Sequence, residues 1–178
     1  MKKTLIALIV CACAIFMLTA CDSNKKDYED AVELYNNHDF NTAAEKLEAL
    51  GDYEDSKIYL EKIQIYKALP QKVLDANENL QFIKTYAGNK NGSGQMDIAD
   101  SMLNDISGWC GDLNIDLIKE DDEKLAEIIN TYQVEIDNTL NSLKKMGETD
   151  SYSDANSART NASSALQAGE ELLKYLSE

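Results

Sequence analysis

The segment DDEKLAEIINTYQVEIDNTLNSLKKM, Asp121 to Met146, places Leu125, Ile129, Tyr132, Ile136, Thr139, Leu143 and Met146 in four-three order. That spacing puts all seven on one side of a helix. Acids crowd its first turn and lysines its last, which suits the helix dipole. Ala155, Ala158, Ala162, Ala165, Gly169, Leu172 and Leu176 keep the same order with small side chains, so a second helix can approach a neighbour closely. These two segments are expected to form an antiparallel hairpin, with Gly147 stopping the first and GETDSYSD joining them. A coiled-coil homodimer is the competing use of the same stripes.

Upstream, Val73, Ala76, Leu80, Ile83 and Ala87 form another seam, followed by the glycine-rich loop GNKNGSG, Gly88 to Gly94. From there Ala99, Leu103, Ile106, Cys110, Leu113 and Leu117 fit one stripe, weakened by about 1 kcal/mol at each of Gly108 and Gly111. Leu69-Pro70 is expected to end the helix before it, since the residue preceding a proline is pushed out of the helical region. The chain therefore reads as all-α, with a helical bundle over residues 71–178.

Residues 27–69 supply three further apolar faces. Ala31, Leu34 and Tyr35 make the first; Phe40, Ala43, Ala44, Leu47 and Leu50 the second; Tyr53, Ile58, Tyr59, Ile63 and Tyr66 the third. NNHD at Asn36–Asp39 and Gly51-Asp52 punctuate them as turns. The pattern Phe40, Ala43, Leu47 recurs thirteen residues later as Tyr53, Ser56, Leu60. At these residues the chain resembles tetratricopeptide-type repeats, and LGDYEDS is similar to a variant found in secreted and membrane-attached proteins of Firmicutes. The resemblance covers about a quarter of the chain and departs from the family where Ser56 replaces the small alanine. It implies a short helical hairpin packed on the bundle and used as an interaction surface. A stack of such repeats normally needs at least three units to bury its faces, so the bundle is expected to cover the exposed end.

The N-terminus reads MKKTLIALIVCACAIFMLTACDSNKKD. Lys2 and Lys3 precede an apolar run from Leu5 to Leu18, and Thr19-Ala20 offer the small residues a signal peptidase requires. The run is shorter than the roughly 20 residues a spanning helix needs. LTAC, Leu18 to Cys21, resembles the lipobox of bacterial lipoproteins. That resemblance implies cleavage between Ala20 and Cys21, removal of residues 1–20 and diacylation of Cys21. Asp22 resembles the residue that keeps lipoproteins on the inner of two membranes. Two acyl chains make a durable anchor, because each buried methylene contributes about 0.8 kcal/mol. The expected location is the extracytoplasmic face of the cell membrane, with residues 21–26 as a tether reaching at most about 18 Å.

Processing removes Lys2 and Lys3 and no acid, so the formal charge falls from −15 to −17. Such a body repels nucleic acid, whose binding depends on clustered Lys and Arg. Cys110 becomes the one cysteine besides Cys21, so an internal disulfide is excluded, and its neighbour Trp109 points to burial. His38 is the sole histidine, which leaves no zinc ligand set of the usual spacing. A G-x-S-x-G elbow and a P-loop are also absent from the sequence. The expectation is a protein without catalytic residues or cofactor.

One loop approximates a metal site. NKNGSGQMDIAD offers Asn89, Asn91, Ser93, Asp97 and Asp100 at positions 1, 3, 5, 9 and 12, with glycine at 6, as an EF-hand calcium loop would. It departs from that loop in its first, fifth and twelfth residues and carries few charges, so the favoured reading is a connector that holds no metal. Asp112, Asn114, Asp116, Glu120 and Glu123 give a second approximate match, with Leu117 where glycine is required. The tyrosines at 28, 35, 53, 59 and 66 are expected to pack rather than to stack on a ligand. The functional expectation is a lipid-anchored interaction or scaffolding module that recruits an envelope protein or peptide. The alternative is a sensor whose bundle binds a small ligand or ion.

Overall fold

The computed structural model describes residues 23–88, 96–149 and 151–177, and these are all-α, with no strand among them. Residues 1–22, where a signal peptide and the Ala20–Cys21 cleavage were expected, and residues 89–95, which include the expected loop positions Asn89, Asn91 and Ser93, lie outside the described residues. In chain order the helices are α1 (residues 23–36), α2 (Phe40–Leu50), α3 (Ser56–Gly88), α4 (Met96–Gly111), α5 (Ile115–Lys119), α6 (Glu123–Thr149) and α7 (Tyr152–Ser177). Among the described residues no helix is long and apolar enough to cross a membrane. The chain divides into two compact units, one ending at Lys67 and one starting at Ala68.

In the first unit, Ala31, Tyr35, Ala43, Leu47 and Ile63 form the buried core, and Tyr28, Leu34, Phe40, Ala44, Tyr59, Leu60 and Tyr66 pack around it. α1 starts at residue 23, not at Asp27. Its extra turn has no apolar residue to betray it. It holds the exposed i,i+4 pairs Ser23–Asp27 at 3.4 Å and Lys25–Glu29 at 3.8 Å, which support a helix locally. The NNHD turn closes α1: Asp39 N–H donates to the Leu34 carbonyl and His38 N–H to that of Tyr35, each at 2.9 Å. This is a Schellman arrangement with His38, at φ 60°, in the left-handed position that glycine usually takes. Asp39 then caps α2, its Oδ1 accepting from Thr42 N–H at 3.3 Å. At the far end Gly51 turns the chain at φ 63°. Ile58, expected on the third apolar face, is 41 % exposed, because α3 begins at Ser56 and turns Tyr59, Ile63 and Tyr66 inward.

α3 runs 33 residues with Pro70 inside it, so the helix end expected at Leu69-Pro70 does not occur. Proline removes one backbone donor and crowds the preceding turn. Leu69 and Val73, both buried, flank it, and packing on either side of the defect outweighs the local preference.

In the second unit, the α3 residues Val73, Ala76, Leu80, Ile83 and Ala87 are all buried, as are Ala99, Leu103, Ile106 and Cys110 on α4. The α4 stripe stops there. Gly111 ends the helix, a three-residue turn follows, and Ile118 rather than Leu117 enters the core from α5. On α6 the expected face is buried from Leu125 to Leu143, and on α7 from Ala155 to Leu172. Met146 and Leu176, at the outer ends, are half-buried.

α6 and α7 pack along their lengths, but the joint is tighter than the polar run suggests. α6 continues through Gly147 to Thr149, and α7 starts at Tyr152. Ser151 makes this possible: its Oγ accepts from Ser153 N–H at 3.2 Å, and its carbonyl accepts from Ala155 N–H at 3.0 Å. Asp154 takes a hydrogen bond from the Thr149 hydroxyl and lies 3.3 Å from Lys145 Nζ. The Thr149 bond first, then Lys145, hold its carboxyl below the usual range. At the opposite end Asp122 caps α6 through Leu125 N–H at 2.8 Å and accepts from the Tyr175 hydroxyl at 2.9 Å. One carboxylate thus fastens both helices.

Candidate functional site

The sequence-derived positions of the repeat-like block fall together in the first unit. Ala43, Leu47 and Ser56 are fully buried, whereas Phe40, Tyr53 and Leu60 are half-buried. Ser56 fills the place of a small alanine because its hydroxyl donates to the Tyr53 carbonyl at 2.6 Å, leaving no unpaired polar group in the core. The aromatic residues form a continuous set of ring contacts. Tyr28 meets Tyr53 and Tyr59 edge-on at 5.9 and 6.2 Å, and Tyr59 meets Tyr35 at 4.9 Å. Phe40 stacks on Tyr66 at 5.2 Å and touches the His38 ring at 5.5 Å. Tyr28, Phe40, Tyr53, Tyr59 and Tyr66 keep part of their surface in water. Burial, then Tyr59 and Asp55, raise the Tyr28 hydroxyl's pKa. A groove of about 330 Å³ beside Asn24, Asp27, Lys46 and Leu50 separates α1 from the end of α2.

The second unit contains a cleft that sequence reasoning did not find. It has a volume of about 360 Å³ and lies where the end of α4 and the short α5 meet α6. Ser107 and Cys110 come from α4, Asn114 and Asp116 from the turn and α5, and Gln133 and Asp137 from α6. The Ser107 hydroxyl donates to Asp137 Oδ1 at 3.1 Å, and Gln133 Nε2 donates to the Cys110 carbonyl. Both contacts fix side chains at the wall. Cys110 is 2 % exposed. Burial first, then the Asp137 charge, push its thiol up to about 12, against a smaller opposing effect of Lys72. A neutral, inert sulfur therefore sits at the cleft floor. Lys72 Nζ lies 5.5 Å from the Trp109 ring centroid, which accounts for the tryptophan's half-buried place next to it. Sequence signals for the cleft existed only in retrospect: Gly108 and Gly111 weaken α4, and DLNID, Asp112 to Asp116, forces the turn that opens it.

Of the calcium-loop residues, Asn89, Asn91 and Ser93 lie outside the described residues, while Asp97 and Asp100 fall in the first turns of α4. Asp100 accepts from Asn104 Nδ2 at 3.2 Å. In the second approximate match, residues 115–119 are helical, so Asp116 and Glu120 are not held on a ligand loop. Among the described residues, no group of three or more His, Cys, Asp or Glu side chains is placed to hold a metal ion.

No protein-family model matches this chain, and neither a curated protein nor a solved structure is found to be similar to it.

Proposed function

We propose that the mature chain is an extracytoplasmic protein held to the membrane by a lipid on Cys21, and that its first unit is a non-catalytic surface for recruiting an envelope protein or peptide. The observation that carries the recruitment reading is the row of half-buried rings Tyr28, Tyr53, Tyr59, Phe40 and Tyr66. Rings locked by edge-on contacts offer large contact area at little cost in side-chain entropy, as aromatic anchors at interfaces do. The tetratricopeptide-like spacing supports the same use by analogy. LTAC at the end of the apolar run supports the anchor.

Crosslinking on intact cells tests this reading. The native chain should capture a defined envelope protein through residues 27–69, and Cys21→Ser should abolish both lipidation and capture. Tyr28→Ala with Tyr53→Ala should keep the lipid, seen by mass spectrometry, and lose the partner. Self-links alone at normal expression would count against recruitment. A second reading, a ligand-binding sensor, is favoured by the polar cleft of the second unit.

A further inference from the structure

From the cleft between α4, α5 and α6 we infer a binding site for a small organic cation, an aliphatic amine carried as its ammonium ion. The inference rests on the second reading above and narrows it to a chemical class.

Three features of the cleft set that class. Its formal charges are the carboxylates of Asp116 and Asp137, contributed by different helices, and among the described residues no Lys or Arg lines it. An anion would meet two like charges, offset only in part by the field of Lys72 at Cys110, so phosphates and carboxylic acids are disfavoured. The last turn of α4 ends at this cleft, and the negative end of a helix dipole adds to the preference for a cation. Neutral acceptors and donors from Asn114 and Gln133 complete a polar rim around it.

The remaining wall selects an organic cation over a bare metal. Leu113, Ile115 and the uncharged Cys110 give the cleft an apolar side, which suits a short methylene chain and wastes the hydration of a metal ion. Among the described residues no group of three or more His, Cys, Asp or Glu side chains is placed to hold a metal ion. A volume of about 360 Å³ lies at the small end of the range for ligand sites, about 300–1,000 Å³. It admits a compact amine and not a nucleotide or a folded peptide.

Titration calorimetry on the full chain in mild detergent, with 1,4-diaminobutane as probe, decides the matter. Saturable one-to-one binding is expected, weakened about ten-fold or more in D116N and in D137N, since each removes one charge-assisted contact. Asn at 137 can still accept from Ser107, so the wall should survive, and an unchanged melting temperature checks this. E61Q with E171Q removes twice the charge of either variant, elsewhere on the surface, and should leave binding intact. Equal loss in that control, or binding untouched by D116N and D137N, would reduce the effect to general attraction by an acidic surface and overturn the site. Tighter binding of 1,4-butanediol or of calcium than of the diamine would leave a ligand cleft in place but overturn the cationic class. Absence of heat from any of the three would sink the inference and the sensor reading together.

Discussion

The Tyr132 hydroxyl donates a 3.1 Å hydrogen bond to Asn77 Oδ1, and this bond can form because residue 169 on α7 has no side chain. A β-carbon on Gly169 would lie 2.2 Å from that oxygen. Three helices, α3, α6 and α7, are thereby keyed to one polar contact.

Gly169→Ala is expected to destabilise the protein despite alanine's helix preference of about 1 kcal/mol. Asn77 must swing away, leaving the hydroxyl of fully buried Tyr132 unpaired at a cost of about 1–3 kcal/mol, with repacking strain of similar size. The expected net loss is about 1–3 kcal/mol in urea unfolding. The double variant with Asn77→Ala should lose less than the sum of the two single changes. A stability gain in Gly169→Ala would show that the close approach is unimportant.

His38→Gly is expected to stabilise the first unit. A side chain at φ 60° costs roughly 1–2 kcal/mol; the greater freedom of glycine in the unfolded chain and the lost ring contact with Phe40 return part of that. A net gain of a few tenths to about 1 kcal/mol should appear as a higher denaturation midpoint with unchanged slope. His38→Val, β-branched at the same angle, should lower it.

Pro70→Ala is expected to raise stability by about 1–3 kcal/mol, because α3 continues through a residue that lacks the backbone donor and crowds the turn before it. The added amide should show slow hydrogen exchange. Fast exchange there with no stability gain would mean that the helix is interrupted in solution.

The thiol of Cys110 is expected to be silent toward Ellman's reagent at pH 8 in the folded protein and to react on unfolding. Its raised value, about 12, favours the protonated form in the fold. The stability tied to it is full below the ordinary thiol range and is lost as pH climbs from there toward 12. Tyr132, raised by burial first and then by Cys110, acts in the same direction. Cys110→Ala should flatten the alkaline fall in melting temperature, and prompt labelling of the native thiol would contradict this burial.

The long stripes were legible because each repeats its apolar residue over several turns. Val73 to Ala87, Leu125 to Leu143 and Ala155 to Leu172 are buried as their spacing requires. What escaped was decided by short-range polar chemistry or by tertiary context. Pro70 reads as a breaker because local preference ignores the packing of Leu69 and Val73. GETDSYSD reads as a loop because its polar residues resemble linker composition, although Ser151 and Asp154 stand at capping positions. The start of α1 is invisible to any apolar period, having no apolar residue in its first turn. The cleft is a product of three helices meeting, and no segment of the chain carries its outline alone.

The start of α1 at residue 23 bears on how the protein would search for a partner. With a lipid on Cys21, one intervening residue would separate the acylated cysteine from a rigid helix, a chain reach of only about 7 Å between α-carbons. A leash that short would hold the start of α1 at the headgroup layer. Encounters would then be governed by lateral diffusion in two dimensions, and a binding site standing far out from the bilayer on another protein would be beyond its grasp. Lengthening the leash with a flexible insert after Asp22 would change which partners are within reach while leaving every contact of the fold untouched.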